Sequence, residues 1–149
     1  AQMKFKPSPR FAKGFLLPDG RSARRTLVGR LLPQPKVELE NGASVPLDDV
    51  LGQGFSILLR GAAADASAIS RVEWDAIVPK IVLVLPAGDF SPVPAGIIVT
   101  RELDPRDWNA IPAGHVFVLR PDHYVAACIK LGEWAKRQSE IDALIAATF

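Results

Sequence analysis

Few side chains in this sequence are of a kind that performs chemistry. Cys128 is the only cysteine among the 149 residues, which excludes an intrachain disulfide, a Cys-x-x-Cys redox pair and a cysteine-based zinc site. It lies in the apolar run 124–129, where a buried, inert thiol is expected instead of a low-pKa nucleophile. His115 and His123 are the only histidines, and no HxxxH or HxxE spacing arranges them for metal binding.

Two polar motifs near residue 50 have structural explanations. Gly52-Gln53-Gly54 supplies two glycines of a dinucleotide loop, but Ile57 occupies the third glycine position and the segment precedes a strand instead of following one. Asp48 and Asp49 are adjacent, so on a helical turn they diverge by about 100° and do not face one substrate. The sequence therefore predicts no catalytic, cofactor-binding or metal-binding residue in this chain.

The elements before and around residue 60 follow from local patterns. Alternation over 37–45 predicts a small hairpin with a type I′ turn at Asn41-Gly42, and 47–51 offers one helical turn. The apolar runs 55–59 and 81–85 are typical of buried strands. Between them Ile69, Val72 and Ala76 recur on one helix face, with Asp65 or Ser67 as the N-cap and Pro79 as the end, which predicts a parallel βαβ unit.

The second half predicts a connector, a hairpin and a terminal helix. A loop over 86–94 leads to a short edge strand at 97–100, and Asp104-Pro105 begins a brief helix through Trp108. The strands 115–119 and 124–129 join through a tight turn, which predicts an antiparallel hairpin. The final helix has an apolar stripe of Leu131, Trp134, Ile141, Leu144 and Ile145. This order is the core of an α/β, thioredoxin-like fold.

A redox enzyme of that fold places its nucleophilic cysteine where the first core strand meets the following helix, since the helix N-terminus lowers the thiol pKa there. Here the place reads Arg60-Gly61-Ala62-Ala63-Ala64-Asp65. No nucleophile appears before Ser67, and no histidine is near in sequence to activate one. The redox position is predicted to be blank.

Residues 1–36 are predicted to form an extended basic linker or arm, and residues 37–149 the domain itself. The arm contains five prolines, and nine basic residues stand against Asp19 alone, so its net charge is about +8 and the remainder of the +2 chain is near −6. Nucleic-acid or membrane binding would need stacking aromatics or an amphipathic helix among the charges, whereas Phe5, Phe11 and Phe15 are irregularly spaced. We therefore expect an acidic protein surface as the partner, with no nucleic acid and no membrane.

Further expectations concern location and contact residues. No run reaches the roughly 18 apolar residues of a membrane span, and no signal peptide follows the basic start, so a cytoplasmic location is expected. Tryptophans in predicted helices are more typical of core or interface anchors than of ligand stacking. The interface candidates are Phe5, Phe11, Phe15, Trp108 and Trp134.

Four segments in order resemble a known family. Residues 3–11, 28–35, 45–52 and 119–127 resemble the C-terminal region of FAD-dependent aromatic hydroxylases of the 3-(3-hydroxyphenyl)propionate hydroxylase and phenol hydroxylase type. The resemblance implies a parent monooxygenase that uses FAD with NADH or NADPH to hydroxylate a phenolic ring. The flavin and substrate residues of that family precede this region, so no catalytic residue and no cofactor of the fragment itself are implied.

The resemblance also implies a thioredoxin fold without redox cysteines, which often contributes to subunit contacts in that family. The expected function is a non-catalytic docking or dimerisation domain, with the parent's own N-terminal FAD and substrate domains and a second copy of the chain as partners. The alternative is an independent, redox-inactive thioredoxin-like module that binds a small molecule or a protein near residues 61–65.

Overall fold

The computed structural model describes residues 26–70, 72 and 74–148, and within them a single mixed sheet forms the centre of the molecule. Its seven strands lie in the order β2-β1-β5-β4-β3-β6-β7. The strands are β1 (Lys36–Glu38), β2 (Ser44–Pro46), β3 (Ser56–Arg60), β4 (Lys80–Leu85), β5 (Ile98–Glu102), β6 (His115–Leu119) and β7 (Val125–Lys130). The helices are α1 (Leu47–Leu51), α2 (Ala66–Ser70) and α3 (Trp134–Thr148), with single 3-10 turns at Ala63–Asp65, Pro105–Trp108 and Leu131–Glu133.

The pairing of the central strands follows the predicted pattern. β3 and β4 are parallel, β4 and β5 are parallel, and β6 pairs antiparallel with both β3 and β7. The βαβ unit, the later hairpin and the terminal helix are therefore confirmed. In this arrangement the carboxyl ends of the parallel strands β3 and β4 lie at the same end of the sheet, beside the start of α2.

Both faces of the sheet are covered, because successive side chains of a strand point to opposite faces. In β3, Ile57 and Leu59 join a core that includes Trp74, Trp134, Ile141 and Ile145. Leu58 joins the other core, which includes Val28, Leu32, Leu47, Trp108 and Phe117. The predicted stripe of α3 is confirmed, since Trp134, Ile141 and Ile145 are buried and Leu131 and Leu144 pack against the same core.

The helix predicted after β3 is much shorter than expected. α2 ends at Ser70, and Val72 and residues 74–79 are not helical. The Oδ1 atom of Asp142 in α3 accepts the backbone N–H groups of Asp75 and Ala76 at 3.0 and 3.1 Å, so a tertiary contact satisfies donors that a longer helix would have used. Trp74 is therefore a buried residue outside any helix, with its ring 6.3 Å from that of Trp134.

Two further predictions need correction. The strand expected at the edge of the sheet is internal, because β1 pairs antiparallel with β5 on the side away from β4. The first hairpin has no type I′ turn, since Gly42 (φ 87°) has a positive φ and Asn41 does not. The bonds from Gly42 N–H to Leu39 O and from Leu39 N–H to Ala43 O instead define a three-residue loop with one left-handed residue.

The described part of the predicted arm, residues 26–36, contacts the domain closely. Val28 and Leu32 are buried, and the segment exchanges backbone hydrogen bonds with Val125, whose N–H donates to Arg30 O at 2.8 Å. This contact extends the sheet edge beside the start of β7. Phe5, Phe11 and Phe15 lie outside the described residues, and the boundary at residue 36 stays a prediction.

Candidate functional site

The junction between β3 and α2, where the fold's redox enzymes carry chemistry, is organised here around Arg60. Its Nε donates to Glu102 Oε2 at 2.8 Å and its Nη2 to Glu102 Oε1 at 3.3 Å. Nη1 donates to the carbonyl oxygens of Trp108 at 3.2 Å and Ile111 at 2.9 Å. These four hydrogen bonds of the Arg60 guanidinium connect β3, β5 and the turn at Trp108.

Burial strengthens this interaction. The side chains of Arg60 and Glu102 are only 19% and 7% exposed, and the guanidinium carbon lies 6.0 Å from the centre of the Trp108 ring. An ion pair shielded from water in this way holds its geometry, and losing one partner leaves a charge without compensation. Arg60 therefore acts as a structural residue at the junction.

The backbone at the junction is also occupied by internal contacts. Gly61 N–H donates to Val84 O at 3.0 Å, and Ala62 N–H donates to Asp65 Oδ2 at 3.1 Å. Asp65 thus caps the 3-10 turn before α2 and does not cap α2 itself. Ser67 is exposed, so the first hydroxyl of the segment stands at the surface without a base beside it in sequence.

Two other residues considered above for chemistry, His123 and Cys128, lie in the β6–β7 hairpin. His123 occupies the left-handed position of the β6–β7 turn (φ 68°). One ring nitrogen, Nε2, lies 2.7 Å from Gly52 O, and the other, Nδ1, contacts the carboxylate of Asp48. Cys128 is half-buried on β7. The contact between Asp48 and His123 was not predicted, because it joins residues that are far apart in sequence.

The interface candidates that the structure describes are core residues. Trp108 and Trp134 are 0% and 1% exposed. As interface residues they would act through the surface that they support and not by direct contact. The role of all five candidates as interface residues stays a prediction.

A pocket of about 390 Å³ lies elsewhere, against the start of β5. Its walls come from the loop after β4 and from β5, with Glu40 at the rim; the lining residues are Glu40, Phe90, Ser91, Pro92, Val93, Pro94, Ala95, Ile97, Val99 and Arg101. Sequence reasoning missed it, because the loop contributes mostly small and proline residues. The one signal in the sequence was Arg101, a charged residue two positions after Val99 and therefore on the same face of the strand.

The described part of the chain offers neither a metal centre nor a membrane span. Among residues 26–70, 72 and 74–148, no cluster of three or more His, Cys, Asp or Glu side chains could hold a metal ion. Over the same ranges, every helix is too short or too polar to cross a membrane.

The fold and the junction define a class: a thioredoxin-like α/β domain without a cysteine at the strand-to-helix junction. Within that class, the chain belongs to the HcaD C-terminal domain family, whose model matches residues 29–144. The resemblance carried by the four segments is thereby confirmed at the level of the family.

Curated relatives point the same way. The chain is 35% identical over 138 residues to a 3-(3-hydroxy-phenyl)propionate/3-hydroxycinnamic acid hydroxylase of Klebsiella pneumoniae, covering 85% of this chain and 24% of the relative. It is 34% identical to a hydroxylase of the same description from Burkholderia vietnamiensis, again over 85% of this chain and 25% of the relative. The chain thus spans about a quarter of the length of these relatives.

Solved structures confirm the fold. The flavin-dependent monooxygenase PieE, solved with FAD and substrate, superposes with a TM-score of 0.65 at 21% identity, over 94% of this chain and 25% of PieE. A thioredoxin-like protein from Bacteroides caccae gives a TM-score of 0.54 at 12% identity, over 78% of this chain and 48% of that protein. Yeast Sco1 gives 0.52 at 14% identity, over 78% of this chain and 92% of Sco1. The predicted fold class is confirmed.

Proposed function

We propose that this chain is the C-terminal docking domain of a flavin-dependent monooxygenase that hydroxylates a phenolic ring, and that it contributes contact and not chemistry. The parent would hold FAD and use NADH or NADPH, with both cofactors in its other domains. The observation that carries the proposal is the match of nearly the whole chain to about a quarter of the hydroxylases. That proportion fits one domain of a larger enzyme.

The geometry of the junction supports the assignment to contact. The place where a redox relative keeps its reactive thiol contains Arg60, and the donors of its guanidinium are taken by Glu102 and by two backbone carbonyls. A guanidinium that makes four internal hydrogen bonds holds the fold together and has little capacity left to bind or activate a substrate. We infer that this domain acts through the surface it presents.

The partners of that surface are proposed to be the parent's own FAD and substrate domains and a second copy of the chain. The basic arm is proposed to lie on an acidic face of a neighbouring domain, with Phe5, Phe11 and Phe15 as apolar anchors. Opposite charges on two domains of one chain would guide and hold such a contact. We further propose a cytoplasmic location, as the use of a reduced nicotinamide cofactor would require.

Light scattering on a relative tests the docking role. The segment that matches this chain is deleted from the Klebsiella pneumoniae hydroxylase, and the molar masses of the full-length and truncated enzymes are compared over a range of concentrations. The proposal expects the truncated enzyme to have a lower assembly state or to lose mass on dilution. An unchanged mass, together with a strictly monomeric isolated chain, would remove the dimerisation role.

A substitution experiment tests the arm. Phe5, Phe11 and Phe15 are replaced together by serine in the parent, and a matched variant, Phe90→Ser, alters the surface of the domain. The arm proposal expects weaker assembly with the triple variant and no change with the Phe90 variant. Equal behaviour of the two variants would contradict an anchoring role for the arm.

A further inference from the structure

Arg101 is an unusual residue for the inside of a sheet. It lies on β5 between β4 and β1, and only 5% of its surface is exposed. Its Nε donates to Asp89 O at 2.5 Å, and its guanidinium carbon lies 4.1 Å from the centre of the Phe90 ring. The loop after β4 therefore fixes the plane of the guanidinium on one side.

Among the described residues, the remaining donors of Arg101 have no partner. No atom in that part of the chain accepts a hydrogen bond from Nη1 or Nη2, and no carboxylate there forms an ion pair with this guanidinium. A guanidinium presents five N–H donors, so four of them have no acceptor within the described ranges. Within the described part of the chain neither Nη atom is fully buried, so both can be reached by a small anion, which a guanidinium binds with two parallel hydrogen bonds.

Arg101 lines a cavity that is large enough for a small molecule. This is the pocket of about 390 Å³, a volume in the range of about 300 to 1,000 Å³ of small-molecule sites. Val99 lies on the same face of β5 as Arg101, and Ile97, just before the strand, and Val93, in the loop after β4, also line the pocket. The cavity thus combines a fixed cationic fork with three aliphatic side chains, within a lining whose accessible surface is otherwise mostly polar.

Two acidic residues near the pocket restrict the charge of a ligand. Glu40 is exposed at the rim without reaching Arg101, and the Asp89 carboxylate accepts hydrogen bonds from Ser91 N and Oγ at 2.9 and 2.6 Å. The Ser91 side-chain hydrogen bond, with its backbone bond and the nearby Arg101 charge, holds the pKa of Asp89 below 3.8, so this carboxylate is ionised at neutral pH. Their repulsion disfavours a dianion such as phosphate more than a monoanion.

We propose that this pocket binds a small monocarboxylate with an apolar or aromatic body. The carboxylate accepts two parallel hydrogen bonds from Nη1 and Nη2 of Arg101, and the apolar body lies against Val93, Ile97 and Val99. Phe90 orients the fork by stacking on it. The site is separate from the junction at Arg60, and it does not depend on the docking function proposed above.

Titration of the isotope-labelled chain with phenylacetate, followed by two-dimensional amide NMR, tests the site, with 2-phenylethanol as the neutral ligand of similar shape. The expected result is saturable shifts confined to residues 89–101, with a dissociation constant at or below about 1 mM, and much weaker binding of the alcohol. Equal affinity for the two ligands, or shifts spread over other surfaces, would overturn the proposal. So would tighter binding of inorganic phosphate than of phenylacetate.

Three variants with different expected effects sharpen the test. Arg101→Met should weaken phenylacetate binding about tenfold or more, because it removes a charge-assisted pair of hydrogen bonds. Glu40→Gln should strengthen it about twofold by removing a repulsive charge. Arg106→Met, at an exposed arginine beyond the pocket, should leave it unchanged.

If the amide spectrum shows that Arg101→Met is unfolded, Arg101→Lys is used in its place, because lysine keeps the charge and lacks the planar fork. A clear loss of affinity in Arg101→Lys supports the site. Wild-type affinity in a folded Arg101→Lys or Arg101→Met variant contradicts it.

Discussion

Arg60 and Glu102 form a two-point ion pair across β4, linking the ends of β3 and β5 at the edge where thioredoxin-like enzymes perform redox chemistry. Two more hydrogen bonds connect the same guanidinium to the turn at Trp108. Segments distant in sequence thus meet in one buried charge network.

The first prediction concerns the stability that this pair provides. Glu102→Gln leaves the Arg60 charge with a neutral partner, so the free energy of unfolding should fall by about 2 kcal/mol. Urea denaturation at pH 7, followed by far-ultraviolet circular dichroism, measures it. Arg106→Gln breaks the exposed pair with Asp104 and should change stability little, so equal losses in the two variants would contradict a special role for the buried pair.

The second prediction concerns the turn between β6 and β7. His123 has a left-handed backbone and links this turn to α1 through Gly52 O and Asp48. His123→Ala should lower the free energy of unfolding by about 2 kcal/mol, since it removes both contacts and since alanine adopts the left-handed conformation less readily than histidine.

Asparagine supplies the matched control, because it tolerates the left-handed conformation. His123→Asn should cost about 1 kcal/mol, and both variants should speed amide hydrogen exchange in α1. If alanine and asparagine destabilise the chain equally, backbone strain makes no contribution at this position.

The third prediction concerns Gly52, which ends α1 with φ 61° and ψ −143°. This region is open essentially to glycine alone, and an added Cβ would approach Lys80 Nζ to 2.7 Å. Gly52→Ala should therefore lower the free energy of unfolding, measured by urea denaturation, by about 2 to 3 kcal/mol. Gly54→Ala is the control, because its φ is also positive (92°) while a Cβ would meet nothing within 4 Å. Since Lys80 Nζ is the end of a flexible side chain and can move aside, the backbone conformation carries most of the loss at Gly52, and a Gly52→Ala variant as stable as the wild type would contradict that conformation.

The fourth prediction concerns pH. The pKa of Asp104 lies below 3.8, first because Arg106 donates a side-chain hydrogen bond to it and also through the Arg106 backbone N–H. A carboxyl whose folded pKa is lowered stabilises the fold above its unfolded pKa and loses that effect as the pH falls through the folded pKa. The melting temperatures of the wild-type chain and Asp104→Asn should therefore differ by the small amount expected of an exposed pair at neutral pH, and they should converge as the pH falls through the folded pKa of Asp104. A difference that grows on acidification would contradict this assignment.

Local sequence patterns were enough to predict the central fold. The apolar runs that became β3, β4, β6 and β7 have no competing explanation at their length, and Asp104 accepts the Arg106 N–H as a predicted N-cap should. The spacing of Ile69, Val72 and Ala76 gave a wrong prediction of helix length. The backbone N–H groups of residues 75 and 76 donate to Asp142 instead of to helix carbonyls, and local periodicity contains no information about that tertiary contact. The internal position of β5 depends on pairing with β1, a contact between segments that are far apart in sequence.

The sites were harder to predict than the fold. The blank redox position was readable from the residues, because a missing cysteine is visible without coordinates. The partner of Arg60 was not, since Glu102 is 42 residues away and looks like any charge at the end of a strand. Arg101 and Phe90 come together only when the loop after β4 folds back over β5.

The rate of hydroxylation per bound flavin tests the central claim, that this domain supplies contact and not chemistry. The measurement is made on the Klebsiella pneumoniae hydroxylase with and without the segment that matches this chain, with flavin content determined from the absorbance of each preparation. The account predicts that the turnover number per flavin changes less than about threefold, even where assembly or flavin retention falls. A truncated enzyme that keeps its flavin and its assembly yet loses hydroxylation would contradict it.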